Sequence, residues 1–288
     1  MVDMFSVGTG TQVCAVIGNP VAHSLSPAVH NAAFRELDLD FIYVAFRVDD
    51  IKNALAGFRA LENFRGLSVT IPHKTASIPY VDDISESDRR IGSINTVIHD
   101  KRRLRGLGTD GPGALKAFRD AGVEPGGKTV LMLGSGGVAR AIAFTLALEV
   151  PPIELIILDI DESMRMTLRR DIKDASDTTV NTGFPAGDQL AAAMERADII
   201  VHCTPLGMHP REGESLVPRD LFRSGQVVFD AVYTPLETKL LSDAAAKGLM
   251  TISGVDMFIN QAVLQFEQFT GEDAPVEVMQ RAVMERLT

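Results

Sequence analysis

The apolar positions of the first hundred residues switch repeatedly between strand and helix spacing. "VCAVIG" (13–18) is a continuous apolar run and reads as a buried strand. "NPVAHSLSPAVHNAAFRELDLD" then reads as a loop and a helix, with Ser26 as N-cap and Pro27 at the first helical position. "DFIYVAFRV" predicts a second strand, and "DDIKNALAGFRALE" a second helix with acidic residues in its first turn. In "FRGLSVTI", Leu67, Val69 and Ile71 alternate with Ser68 and Thr70, which is strand periodicity. Pro72 stops that strand, and Lys74 is aimed from its tip, where chemistry tends to sit in α/β proteins. Taken alone, such a lysine reads first as a solvated cap. "INTVIHDKRRLRGLGTD" predicts two further strands around a charged turn at Asp100 to Arg103.

"TDGPGALKAF" marks a boundary, because two glycines and a proline precede a new helix. Beyond it, the strand "TVLMLG" runs into Gly134, Ser135, Gly136, Gly137 and Val138 and then a helix, and "IELIILDID" is the next strand. This is the pattern of a βαβ dinucleotide unit. Gly134 serves the turn, Gly136 lets a pyrophosphate approach, and Ala139 is the small third residue. The helix N-terminus offers free N–H groups to phosphates, and Asp159 supplies an acidic group at the end of the second strand. Strands follow at "ADIIVHCTP" and "QVVFDAVY". "VDMFINQAVLQFEQFTG" is a helix with Phe258, Ala262, Val263, Phe266 and Phe269 on one stripe, and "PVEVMQRAVMERL" is a last helix. Alternating strands and helices predict an α/β protein with a largely parallel sheet.

Composition narrows the class. A chain of 288 residues exceeds the usual size of one core, so two domains are expected. A net charge of -10 argues against nucleic acid or an anionic membrane surface as partner. "MVDMFSVGTGTQ" shows neither a basic n-region nor a long apolar h-region, so no signal peptide is expected. No membrane span is read either, and a cytoplasmic location follows. Cys14 and Cys203 are distant and unpatterned, and the six histidines lack ligand spacing, so no metal site is expected.

"HSLSPAVHN", "VTIPHK", "GSINT", "TDGPG", "GSGGVARA", "CTPLGM", "DAVYTPLET" and "MFINQAVLQFEQFTG" occur in an order that resembles the shikimate dehydrogenase family, including its quinate/shikimate branch. The resemblance runs from about Ile17 to Gly271. It implies an N-terminal α/β substrate domain (1–110), a Rossmann-type NAD(P)-binding domain (111–253) and C-terminal helices (254–288) returning to the first domain, with the active site in the cleft between domains. It implies a catalytic lysine at Lys74 with Asp110 as its partner. Hydride transfer to a ketone requires a proton for the new alkoxide, which a lysine can shuttle and a carboxylate can tune. Ser24 and Ser26 match carboxylate-binding serines, although either also reads as a loop or capping hydroxyl. Thr70, Asn95 and Gln261 match binders of substrate hydroxyls, and Tyr233 lines the cleft. Gly134, Ser135, Gly136, Gly137, Val138, Thr204, Ala231, Gly254 and Met257 are cofactor candidates on the same likeness.

The departures carry weight. Ser68 stands where the family's pattern has Asn, and Gly108 where it has Asn before "TDG". His202 and Cys203 replace the common start of the "TPLGM" segment; His202 reads as a cofactor contact or a satisfied loop histidine. The family's arginine for a 2′-phosphate is Ile160 here, flanked by Asp159 and Asp161. Asp159 is therefore expected to accept from a ribose diol and to select NAD over NADP, although Arg165 and Arg169 on the next helix could reach a phosphate. The leading reading is a dehydrogenase interconverting 3-dehydroshikimate and shikimate. Quinate oxidation and a non-catalytic ligand sensor are the alternatives. The sequence leaves the oligomeric state open, a homodimer included.

Overall fold

The computed structural model describes residues 7–287, and part of the N-terminal stretch read for a signal peptide lies outside them. The chain divides into two compact units: residues up to Thr109 together with Ala262–Arg286, and Asp110–Gln261. No helix among the described residues is long and apolar enough to cross a membrane.

The first unit is built on a mixed sheet. Its strands are β1 (Gln12–Gly18), β2 (Phe41–Arg47), β3 (Phe64–Val69), β4 (Asp83–Ile84), β5 (Thr96–Asp100) and β6 (Arg103–Leu107), in the order β2-β1-β3-β5-β6-β4. β1 pairs in parallel with β2 and β3, whereas β5 runs antiparallel to both β3 and β6. The parallel expectation therefore holds for only part of this sheet. The charged turn explains the exception: Lys101 and Arg102 both adopt positive φ (47° and 67°), the two-residue hairpin geometry that matches strand twist.

The helices of this unit are α1 (Ser26–Glu36), α2 (Ile51–Ala60), α3 (His73–Ala76) and α4 (Glu86–Ile91). Val29, His30, Ala33 and Phe34 form the buried face of α1. Asn31 fixes α1 to β2 by pairing its amide with both backbone groups of Tyr43 at 2.8 Å. Two expected helix starts are corrected. Leu25, already in helical geometry, is the N-cap of α1, and the Ser24 hydroxyl accepts the Ser26 N–H at 3.3 Å. In α2 the acidic residues precede the helix, and Asp50 caps it by accepting from Asn53 N–H. Ile71 is also corrected: β3 ends at Val69, and Ile71 is 69% exposed.

The second unit carries an all-parallel sheet in the order β12-β11-β10-β7-β8-β9. Its strands are β7 (Thr129–Leu133), β8 (Glu154–Leu158), β9 (Thr179–Gly183), β10 (Ile199–His202), β11 (Val227–Asp230) and β12 (Met250–Ile252). The helices are α5 (Asp110–Asp120), α6 (Gly137–Glu149), α7 (Glu162–Ala175), α8 (Gly187–Arg196) and α9 (Lys239–Ala245). The central strands β7, β8, β10 and β11 are near-continuous runs of buried apolar residues, as expected of a parallel sheet covered on both faces, whereas the edge strands β9 (TVNTG) and β12 (MTI) are polar or exposed at most positions. α10 (Gly254–Thr270) passes from this unit into the first between Gln261 and Ala262, and α11 (Val276–Leu287) follows it.

In the first unit, the far half of α10 buries Phe266 and Phe269 around His30, whose ring stacks on Tyr43 at 4.4 Å. Gly66 sits mid-strand because a Cβ there would lie 2.5 Å from the Phe269 ring. Neither nitrogen of His30 has a hydrogen bond of sound geometry. Burial pushes its pKa down to about 3, and the nearby Gln265 amide offsets only part of that.

This buried imidazole sets a pH dependence. An unfolded histidine titrates near 6.5, so between 6.5 and 3 the unfolded chain binds a proton that the folded chain refuses. The contribution is intact above about 6.5 and is lost as pH falls, by about 2 kcal/mol at pH 5. Urea unfolding at pH 7 and pH 5 should show that loss, and His30→Phe should remove most of it. An unchanged pH slope in the variant would show that other groups cause it.

Candidate active site

In the first unit the candidate residues gather at one edge of the sheet. β1 and β3 are parallel and end together at Gly18 and Val69, and antiparallel β5 begins beside them at Thr96. Ser24 and Ser26 follow β1, Thr70 and Lys74 follow β3, and Asn95 precedes β5, so all five stand beyond that edge. The turns are fastened to one another by backbone bonds. Thr70 N–H donates to Ile17 O at 2.9 Å, Asn19 N–H to Ile71 O at 3.0 Å, and Ile94 N–H to Lys74 O at 3.0 Å. Gly18 has no side chain because a Cβ would meet Thr70 Cγ2 at 2.4 Å. Lys74 thus stands on the single turn of α3, not on the strand tip itself, and the 93–95 segment runs directly beside it.

Asn95 is buried, and its amide is shared with Thr109: Oδ1 accepts Thr109 N–H at 2.7 Å and Nδ2 donates to Thr109 Oγ1 at 2.9 Å. Ser68, the departure at the Asn position, points into the core. Its hydroxyl accepts from Tyr43 at 2.5 Å and donates to Gln265 Oε1 at 2.6 Å. Gly108 is explained by Asp88, whose carboxylate accepts the Gly108 N–H at 3.0 Å and would lie 2.8 Å from a Cβ there.

The second unit assembles its own group. Asp110 begins α5 and is buried. Burial and then the Asp110 charge push the Tyr233 hydroxyl up, so these two lie within electrostatic reach. Tyr233 packs on Phe258 at 5.0 Å, and the Phe258 carbonyl accepts from Gln261 Nε2 at 2.9 Å. The glycines of "TDGPG" set helix spacing: a Cβ on Gly111 would lie 2.0 Å from Thr145 Oγ1, and one on Gly113 would lie 2.9 Å from Gln261. Gly254 meets the 231–232 backbone, where a Cβ would come within 2.5 Å of Val232 O. Ala231, Gly254 and buried Met257 therefore belong to one corner of this unit.

The dinucleotide elements fit such a group. Gly134 has φ +110° and lies against Cys203 O, at 3.0 Å from its missing Cβ. Gly136 faces open space, and Gly137 and Val138 open α6 with uncapped N–H groups. Asp159, by contrast, is already engaged. One oxygen accepts Ser135 O–H at 2.7 Å and the other accepts Asp161 N–H at 2.9 Å. Arg165, only 13% exposed, donates to Asp159 O at 3.1 Å, and its buried Nε has no partner. Asp161 caps α7 by accepting Met164 N–H at 2.9 Å, and Arg169 Nε donates to Val180 O at 3.2 Å. His202 is corrected from a loop residue to the last residue of β10. Both of its ring nitrogens have partners, and one is Thr204 Oγ1 at 2.6 Å. Sequence reasoning missed Gln265 and Asp230 altogether.

A family model described as the shikimate dehydrogenase substrate binding domain matches residues 16–97, and one described as the shikimate 5′-dehydrogenase C-terminal domain matches residues 254–284. A shikimate dehydrogenase (NADP(+)) of Moorella thermoacetica is 42% identical, covering 99% of this chain and 96% of the relative. One of the same name from Methanopyrus kandleri is 40% identical over 98% of each chain. A crystal structure of shikimate dehydrogenase in complex with NADP+ superposes with a TM-score of 0.91 at 34% identity over 98% of each chain. The expectation of NAD with Asp159 as determinant is overturned by these NADP(+)-named relatives. The physical reason lies in the turn after β8: Ser135 and Asp161 tie the Asp159 carboxylate into its own turn, and a largely buried arginine stands beside it to offset its charge.

The α5–α6 approach yields a test. Gly111→Ala should lower stability by about 1–3 kcal/mol, because Thr145 and the Ala141 carbonyl, 2.7 Å from the new Cβ, must both move. Thermal unfolding of the variant, with Gly122→Ala as a control for left-handed strain at an open position (φ +72°), separates contact from backbone cost. A Gly111→Ala protein as stable as wild type would mean that α5 shifts freely.

Proposed function

The chain belongs to the shikimate dehydrogenase family, and we propose that it catalyses the reversible NADP-linked reduction of 3-dehydroshikimate to shikimate. The observation that supports this most is the gathering of Ser24, Ser26, Thr70, Lys74 and Asn95 at one sheet edge, within a chain 42% identical to a shikimate dehydrogenase (NADP(+)) over almost its full length. Bound NADPH supplies the hydride. The protein's part is to hold the acid, to hold the ring, and to manage one proton.

Ser24 and Ser26 receive the substrate carboxylate with short hydroxyl donors, which costs less desolvation than a buried cation. Thr70 and Asn95 address ring hydroxyls from the first unit, and Gln261 and Tyr233 from the second. Lys74 gives a proton to the developing alkoxide in reduction and withdraws it in oxidation, with Asp110 as the family's partner carboxylate. Gly134 to Val138 take the pyrophosphate at the α6 N-terminus, and Thr204, Ala231, Gly254 and Met257 flank the nicotinamide half. Arg165 takes the 2′-phosphate. Its ion pair with the mostly exposed Glu162, 3.6 Å long, leaves the guanidinium able to turn its terminal donors to a charge-assisted bond with a phosphate.

Absorbance at the NADPH band with 3-dehydroshikimate tests the activity directly; no turnover with either cofactor would sink the proposal. Lys74→Ala should lower kcat by about 10²- to 10⁴-fold while NADPH binding stays near normal. Near-normal turnover in that variant would remove Lys74 from the reaction. Arg165→Leu should weaken NADPH binding at least tenfold and leave NADH binding within twofold, because a charge-assisted bond contributes about 1.5–3 kcal/mol. Equal losses for both cofactors would assign the 2′-phosphate elsewhere.

A further inference from the structure

A buried polar chain crosses the ends of β10 and β11. His202 and Asp230 are the last residues of those strands, with side chains 3% and 0% exposed. Asp230 Oδ1 accepts Val232 N–H at 3.0 Å, and Oδ2 accepts Thr238 O–H at 2.6 Å. Oδ1 also lies 2.9 Å from His202 Nδ1. An ionised carboxylate only accepts, so Nδ1 must carry a proton. The other ring nitrogen, Nε2, lies 2.6 Å from Thr204 Oγ1, and Leu206 N–H already donates to that oxygen at 3.3 Å. With a neutral ring every hydrogen finds one acceptor: Leu206 N–H on Oγ1, Thr204 O–H on Nε2, and Nδ1–H on Asp230.

The position of Thr204 gives this orientation a use. β7 and β10 are neighbours at the point where the strand order of the second sheet reverses, and a dinucleotide lies in the crevice beyond such a reversal. Thr204 stands on the β10 lip, its methyl Cγ2 3.2 Å from where a Cβ on Gly134 would be. A hydroxyl whose proton is committed to Nε2 offers only a lone pair outward. Phosphate oxygens are acceptors and do not match it. A ribose hydroxyl can donate to it, and the β10–β11 side lies away from the Asp159–Arg165 turn, so that ribose is the nicotinamide one. Resting on the dinucleotide reading above, we propose that Thr204 Oγ1 accepts a hydrogen bond from the nicotinamide-side ribose, and that His202, as its neutral Nδ1–H tautomer, is the positioning residue that turns Thr204 into an acceptor.

Two measurements decide it. Long-range ¹H–¹⁵N spectra of the histidines at pH 7, with His202→Phe to assign the signal, should show a neutral ring protonated at Nδ1. An imidazolium or an Nε2–H ring would overturn the orientation. NADPH affinity, read from its own fluorescence, should weaken about 2- to 12-fold in Thr204→Val, the range of one neutral hydrogen bond. In the His202→Phe background, Thr204→Val should cost little more. If Thr204→Val costs the same in both backgrounds, His202 does not act through Thr204, and if it costs nothing in wild type, the ribose contact is wrong. Thr204→Ser, which keeps the hydroxyl, should restore most of the affinity and guards against misfolding as the cause. A wild type that binds neither NADPH nor NADH, with the Nδ1–H ring observed, overturns the functional reading and leaves the orientation of Thr204 standing.

Discussion

One buried amide organises the first unit. Gln265 accepts from Ser68 on β3 and donates to Thr96 Oγ1 at 2.9 Å and to Asn95 O at 3.2 Å. Its residue is 1% exposed, so each of these groups would lose a partner without access to water if the amide were removed. The chain must therefore return from its far end before β3 and β5 are fully satisfied. Tyr43 extends the network to β2, and burial pushes the phenol up against the opposing pull of its hydrogen bond to Ser68, so it stays a donor. Asn95 O, held by Gln265, also accepts Val69 N–H at 2.7 Å at the end of β3. The edge that carries Lys74 is shaped by this cross-link from behind.

Two buried carboxyl groups of the second unit, Asp110 and Asp230, act on their neighbours. Burial, then Asp230 and Asp110, push the Cys203 thiol up, and burial and Asp110 do the same to Tyr233. Cys203 is thus a neutral packing group and not a thiolate nucleophile. Tyr233 keeps its proton and can donate. The glycines at 111 and 113 let the helix that Asp110 begins come close to Thr145 and Gln261, which holds that carboxyl group in a fixed place.

Legibility in the sequence followed the range of the physics involved. Strands of the parallel sheet were readable because burial on both faces leaves continuous apolar runs, as in "TVLMLG" and "ADIIVHCTP". The αL turn at Lys101–Arg102 was readable as a charged turn, but not as the hairpin that makes β5 and β6 antiparallel. Cap positions failed by one residue, since Leu25 gives no local sign that it adopts helical geometry before Ser26. The roles of Ser68 and Gln265 were out of reach because the partners are 197 residues apart. No local pattern reports such a pair.

Asp159 shows the sharper limit. Spacing from the glycine loop put an acidic residue at the end of β8, and the structure has it there. The inference from that place to cofactor choice required the carboxylate to be free, and freedom is a property of neighbours. Ser135, inside the glycine loop, donates to one oxygen, and the backbone of Asp161 donates to the other. A carboxylate held through both oxygens stabilises its own turn, and its aim is set by those donors and not by a ligand. Arg165, five residues beyond Ile160, arrives because α7 begins directly after the Asp161 cap and its first turn brings the side chain back to the Asp159 carbonyl. Position along a chain identifies candidates, and the hydrogen-bond partners decide which candidate still has an atom to give.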